Sequence, residues 1–128
     1  MNMIKLLLLP GFLFLIVVAF GLWVSKVGKP YNSLLFNIHK LIALGTVILT
    51  GIRIVKLDPL IAFPLSAILL IMLSVLGVVG MFTTGAIMSI KDEIPRGASL
   101  VHRIIPWVIL LSVLAAVYLI TIDQLRII

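Results

Sequence analysis

The stretch LIAFPLSAILLIMLSVLGVVGMFTTGAIMSI, residues 60–90, contains no charged side chain. Roughly 20 apolar residues in helical form cross the hydrocarbon core of a bilayer, so this run is long enough to span one. Pro59 and Pro64 suit the first turns of a helix, where a missing N–H costs little, and they place the helix start near Pro64. Moving outward, Leu6–Ser25 is also uncharged. Leu34–Ile52 is interrupted only by His39 and Lys40, and Leu100–Ile122 only by His102 and Arg103, in both cases near the start. The expected spans are therefore 6–25, 34–52, 64–90 and 100–122. Lipid offers the backbone no hydrogen-bond partner, which selects helices over open strands. The expected fold is all-α: one domain over residues 1–128, a four-helix transmembrane bundle running up-down-up-down with both termini on one side.

Composition agrees with this. Of 128 residues, 63% are hydrophobic, against about 45–50% in soluble domains. Mean hydropathy is +1.39. A soluble chain this small leaves much of its surface in water and has nowhere to hide so much apolar area. A soluble enzyme and a disordered segment are excluded on that ground. The net charge of +6 comes from ten scattered Lys and Arg residues. No stretch interleaves cations with aromatics as base stacking requires, so nucleic acid is not an expected partner. There is no cysteine, which removes thiolate iron–sulfur and zinc sites, covalent c-type haem and disulfide chemistry.

The first apolar run exceeds a signal-peptide core, and no small-x-small cleavage site follows it, so a retained helix is expected. Pro10-Gly11 in the first span and Pro106 in the fourth are candidate kinks. The connecting loops, Lys26–Asn32, Arg53–Pro59 and Lys91–Gly97, are too short for a folded extramembrane domain. Function is therefore expected within the helices or at their rims. Loops one and three with the adjoining helix starts carry Lys26, Lys29, Lys40, Lys91, Arg96 and Arg103, whereas the opposite rim carries Lys5, Arg53, Lys56 and Arg126. That imbalance points loops one and three inward, although it vanishes when Lys40 and Arg103 are set aside as ligand-directed. The expected location is a bacterial or archaeal inner membrane.

His39 and His102 are the residues of most chemical interest. Each lies early in its span, and the second and fourth spans run in the same direction, so the two imidazoles are expected at similar depth. Two histidines on different helices at one depth can ligate a low-spin haem b from opposite faces. The surrounding sequence repeats: Ile38-His39-Lys40-Leu41-Ile42 is echoed by Val101-His102-Arg103-Ile104-Ile105, 63 residues later. Gly21 precedes His39 by 18 residues and Gly85 precedes His102 by 17. The chain thus reads as two pseudo-repeated helix pairs, related as parallel repeats are in other membrane folds.

Each element has a physical task in a haem site. Gly21 and Gly85 remove side chains where a porphyrin would enter. Ala43, Thr46 and Thr50 follow His39 at helical spacing as a small-residue face. Lys40 and Arg103 are placed to snorkel toward the interface and neutralise two propionates. Plainer roles exist for each residue alone: flanking charge for the cations and helix packing for the glycines, Gly77 and Gly80 included. The shared spacing favours a site, since intramembrane ionisable residues are rare and usually functional. Met81 and Met88 are alternative thioether ligands. A zinc site from two histidines lacks a third ligand; Asp92 and Glu93 lie in a loop beside Lys91. No carboxylate lies inside a span, as a proton- or cation-coupled transporter would need. Trp23 and Trp107 fit an interfacial aromatic belt.

Ile38-His39-Lys40 and Val101-His102-Arg103, with four spans over nearly the whole chain, resemble the four-helix haem-binding units of membrane b-type cytochromes. They also resemble one half of a heme A synthase, whose bundles place His-Arg motifs at corresponding helix starts. The resemblance implies non-covalent haem b with His39 and His102 as axial iron ligands, and electron transfer with a quinone or redox-protein partner. The chain departs from diheme cytochromes in having no second histidine pair. It departs from heme A synthases in having no carboxylate near a histidine. A small electron carrier or a subunit of a larger membrane complex or oligomer is thus expected before a stand-alone enzyme. The competing expectations are a noncatalytic or tetrapyrrole-binding subunit, and a quinone-reactive or haem-modifying enzyme.

Overall fold

The computed structural model describes residues 3–56 and 63–127. Four helices occupy them: α1 (Met3–Val27), α2 (Ser33–Val55), α3 (Leu65–Ile90) and α4 (Arg96–Ile127). All four are long and apolar enough to cross a membrane, and no strand occurs among the described residues. The expected all-α class with four membrane-length helices is the one observed. Large apolar side chains are exposed along every helix, among them Leu15, Leu41, Leu76 and Leu111. In water such a surface would be untenable; in hydrocarbon it is the solvated surface. The protein is an integral membrane protein.

The helix ends follow backbone capping rather than the edges of the charged stretches. Helix α1 runs past Ser25 to Val27. It stops at Gly28, whose φ of 74° is a left-handed conformation that glycine adopts without a Cβ penalty. The Gly28 N–H donates to the Val24 carbonyl at 3.1 Å. Asn32 then caps α2: its side chain accepts from the N–H groups of Leu34 at 3.0 Å and Leu35 at 3.2 Å, satisfying two donors that every helix start leaves open. Pro64 stands at the N-cap of α3, as its fixed φ allows. Helix α4 begins at Arg96, earlier than the apolar boundary at Leu100, because the Pro95 carbonyl already accepts from the Ser99 N–H at 3.1 Å. Both α1 and α4 continue through their internal prolines. Pro59 and the segment 57–62 lie outside the described residues.

The chain divides into two compact units, Met1–Pro59 and Leu60–Ile128. Each is a helical hairpin, α1 with α2 and α3 with α4. The connections, residues 28–32 and 91–95, are both five residues long. His39 lies six residues after the first residue of α2, and His102 six residues after the first residue of α4. At 1.5 Å per residue each imidazole is rooted about 9 Å along its helix from the loop.

Within the second hairpin the helices approach through glycine. A Cβ at Gly77 would lie 2.7 Å from Cγ1 of Ile109, and one at Gly80 would lie 2.9 Å from Cδ1 of Ile105. Small residues let backbones close up where no hydrophobic force drives helices together. Hydroxyls inside the helices bond back to their own turn: Thr46 to Ile42 and Thr50 to Thr46, both at 2.7 Å, and Ser74 to Leu70 at 2.9 Å. Each is thereby satisfied without help from outside its helix.

Candidate metal ligands, one in each hairpin

In the first hairpin the imidazole of His39 packs with its Cε1 corner against α1 at Gly21. A Cβ built at Gly21 would stand 3.0 Å from Cε1 of His39, 3.6 Å from Nδ1 and 3.7 Å from Nε2. Side-chain atoms essentially do not approach closer than this, so any residue but glycine must move the ring. The Val17 carbonyl, one turn earlier on α1, is a hydrogen-bond partner of the ring. Nδ1 is buried and has no hydrogen-bond partner among the described residues. Leaving a buried polar atom unpaired costs about 1–3 kcal/mol, and such atoms in native proteins commonly mark an ion, water or cofactor position.

The second hairpin repeats the arrangement. A Cβ at Gly85 would lie 3.3 Å from Cε1 of His102 and 4.0 Å from Nδ1. Here the ring has a side-chain partner on α3: Nδ1 is 2.7 Å from Oγ1 of Thr84. Thr84 is buried, and its hydroxyl donates to the Gly80 carbonyl at 2.7 Å. The glycine echo therefore has a direct structural meaning. In each hairpin the room opened by the glycine is taken by the imidazole of the following helix, whereas the sequence had reserved that room for a porphyrin.

The flanking cations differ in placement. Lys40 is exposed, and its ammonium sits 4.1 Å from the centre of the Phe36 ring, one turn nearer the loop. Phe36 stacks on Tyr31, with ring centres 5.0 Å apart and planes 15° apart. Lys29 lies 5.5 Å from the Tyr31 ring centre. The result is a cation–aromatic–aromatic–cation ladder from Lys29 to Lys40, each end worth about 0.5–1 kcal/mol at an exposed site. Burial pushes the Tyr31 hydroxyl above its ordinary pKa of 10.0. Lys40 thus snorkels toward the loop, as its stem length permits. Arg103 is exposed beside His102 on α4.

Trp23 and Trp107 are both more than half exposed, at 54% and 57%, consistent with ring positions in an interfacial belt. Met81 and Met88 lie one turn to either side of Gly85 on α3 and are half-buried. Gly45 faces open space. Among the described residues no group of three or more His, Asp or Glu side chains gathers; an axially ligated haem requires two ligands, not three. Thr84 and Phe36 are the residues that sequence reasoning passed over. Thr84 had a signal, a hydroxyl immediately before the glycine in Thr83-Thr84-Gly85, but mid-helix hydroxyls are ordinarily spent on their own backbone. Comparison with protein-family models, curated proteins and solved structures finds no match to this chain.

Proposed function

We propose that the chain is a membrane b-type cytochrome of a bacterial or archaeal inner membrane, with His39 and His102 as the axial ligands of one haem b. The observation that carries this reading is the repeated seat: each hairpin holds one histidine against a glycine of the preceding helix. Two nitrogen donors with fixed ring orientations, one of them buried with an unpartnered Nδ1, match the donor set of a low-spin haem. When bound, the haem supplies one-electron chemistry at iron. The protein's part is to hold two imidazoles by Gly21 and Gly85, exclude water with its apolar helices, and set the local charge through Lys40 and Arg103. Exchange of electrons with a quinone or a redox protein follows from this reading as the physiological role.

The direct test is a reduced-minus-oxidised optical spectrum of the full chain purified from haem-supplemented cells. The expected result is the sharp low-spin bands of a bis-imidazole b haem at one haem per chain. Protein that is folded and helical yet shows no haem bands overturns the proposal and returns the histidines to helix packing. A second expectation concerns charge. Lys40→Ala and Arg103→Ala each lower the midpoint potential, because removing a nearby positive charge favours the more positive ferric state. Equilibrium redox titration measures this, and unchanged potentials in both variants would reduce the two cations to interfacial anchors.

A further inference from the structure

The charge of the chain is unevenly divided. Residues 1–59 hold six of the ten Lys and Arg residues but one of the four carboxylates, Asp58, which follows the far end of α2 in sequence. The loop-one end of the first hairpin therefore carries Lys26, Lys29 and Lys40 and no acid. The loop-three end of the second sets Asp92 and Glu93 against Lys91, Arg96 and Arg103. Of the three lysines, Lys40 sits deepest, inside α2. Ser33, Asn37, Lys40, Leu44 and Ile48 recur at helical spacing, which puts them on one face of that helix, and all five are exposed.

Along that face the chemistry changes from polar to apolar within three turns. Nearest the loop, the Asn37 amide donates to the Ser33 hydroxyl at 3.4 Å. Lys40 follows, its ammonium drawn back to 4.1 Å from the Phe36 ring centre. Leu44 and Ile48 continue the face and are about half exposed, at 48% and 54%, and Leu41 beside them is exposed at 68%. Leucines exposed at this depth are solvated by hydrocarbon, so an anion that meets the ammonium from this side arrives with acyl chains attached. Lysine brings three N–H donors and no acceptor, and the headgroup phosphate is the anion that a bilayer offers at the end of such chains. We propose that this face of α2 is a binding site for an anionic phospholipid. The Lys40 ammonium takes the phosphate, the second N–H of the Asn37 amide takes a headgroup oxygen, and the chains lie along Leu44 and Ile48. The site stands whether or not the protein binds haem.

The test is native mass spectrometry of the full chain as purified, released from mixed micelles of phosphatidylglycerol and phosphatidylcholine with identical chains. The ratio of the two lipids kept per protein is the readout. Wild type is expected to prefer phosphatidylglycerol by about fivefold or more, the worth of one lysine beside an anionic headgroup. Lys40→Ala should lower that preference about fivefold, and Lys40→Arg should keep most of it. Asn37→Leu, which leaves every charge in place, should lower it by about twofold to tenfold, the range for one hydrogen bond. Lys5→Ala on the opposite rim and Arg96→Ala at the start of α4 each delete one positive charge as well, yet should leave the ratio unchanged.

A wild type that keeps both lipids equally, or a preference untouched by Lys40→Ala, overturns the proposal. So does an equal fall in Lys40→Ala, Lys5→Ala and Arg96→Ala, which would make the preference a matter of net charge and not of a site. Inorganic phosphate and polyglutamate, each added at the same concentration of negative charge as the lipid, separate the possible occupants. Displacement of phosphatidylglycerol by the first would make the occupant a free phosphate, and by the second an acidic polypeptide; either result overturns the lipid. Circular dichroism of each variant confirms that the helices are intact, and recovery in Lys40→Arg ties the loss to the missing cation.

Discussion

Gly21→Leu is expected to abolish low-spin haem binding while leaving the protein fully inserted in the membrane. A single added Cβ at this position already meets Cε1 of His39 at 3.0 Å, and leucine adds three more carbons along the same vector. Either the ring leaves its seat or the two helices separate. Overpacking of this kind typically costs about 1–3 kcal/mol, and a single imidazole turns more easily than a helix shifts, so the ring is expected to move. Every 1.4 kcal/mol is about tenfold in an equilibrium, so a cost of this size takes the ring out of its seat in most molecules and removes the low-spin form. Insertion should be untouched, because leucine is favourable in a membrane helix by roughly 0.3–0.6 kcal/mol. Gly85→Leu should act in the same direction. The alanine variants grade the effect: Gly21→Ala should be the more severe, since its Cβ meets the ring at 3.0 Å against 3.3 Å for Gly85. Gly45→Leu is the control, with open space around it. Haem-to-protein ratio and spin state, measured beside yield in the membrane fraction, decide the matter. Normal low-spin haem in Gly21→Leu would show that the imidazole seat is unrelated to ligation.

The largest expected effect on stability is at Gly77. Its Cβ would lie 2.7 Å from Cγ1 and 3.2 Å from Cδ1 of Ile109, and 3.3 Å from Cγ2 of Ile105. Two of these three are branch atoms near the backbone, which cannot swing aside. Gly77→Leu is thus expected to force α3 and α4 apart, destabilising the hairpin by about 1–3 kcal/mol or slightly more. At Gly80 the single close atom is the terminal Cδ1 of Ile105, at 2.9 Å, which a rotamer change can relieve. Gly80→Ala should therefore cost distinctly less than Gly77→Ala. Thermal unfolding of the full chain in detergent measures the order, with Gly11→Leu, which meets nothing, as the reference. Ile109→Ala placed on Gly77→Leu should recover part of the loss. If Gly77→Leu melts like Gly11→Leu, the close contact of α3 and α4 at this level is not a determinant of stability.

How far the sequence could be read depended on which force decided each feature. Span number and helical class were legible because the hydrophobic requirement of a bilayer acts on long runs, and the uncharged stretch at 60–90 leaves one answer. Helix ends were less so. Charge marked the boundary at Leu100, but the backbone begins α4 at Arg96, where Pro95 opens the turn. The repeated Gly and His positions were visible as spacing, yet spacing does not say what fills the space beside a glycine. That depends on the crossing of two helices, which brings the ring of His39, and not open volume, over Gly21. Lys40 was expected to snorkel toward the interface, and its stem does turn back along the helix toward the loop, but sequence position did not show that its ammonium would meet the Phe36 ring, which lies in the direction in which helical side chains lean.

The position of each histidine, six residues in from the loop end of its helix, has an electrical consequence. About 9 Å of helix against a hydrocarbon core of about 30 Å puts each imidazole at most about a third of the way into the dielectric from its own loop, and His102 less, because α4 starts four residues before its apolar run at Leu100. A full elementary charge carried across the membrane exchanges about 2.3 kcal/mol per 100 mV with the transmembrane potential. A charge that reached these rings from the loop side would traverse at most about a third of that drop, ~0.8 kcal/mol per 100 mV. From the far side it would traverse two thirds or more. Any charge delivered to these rings from the loop side would work against the smaller part of the membrane voltage.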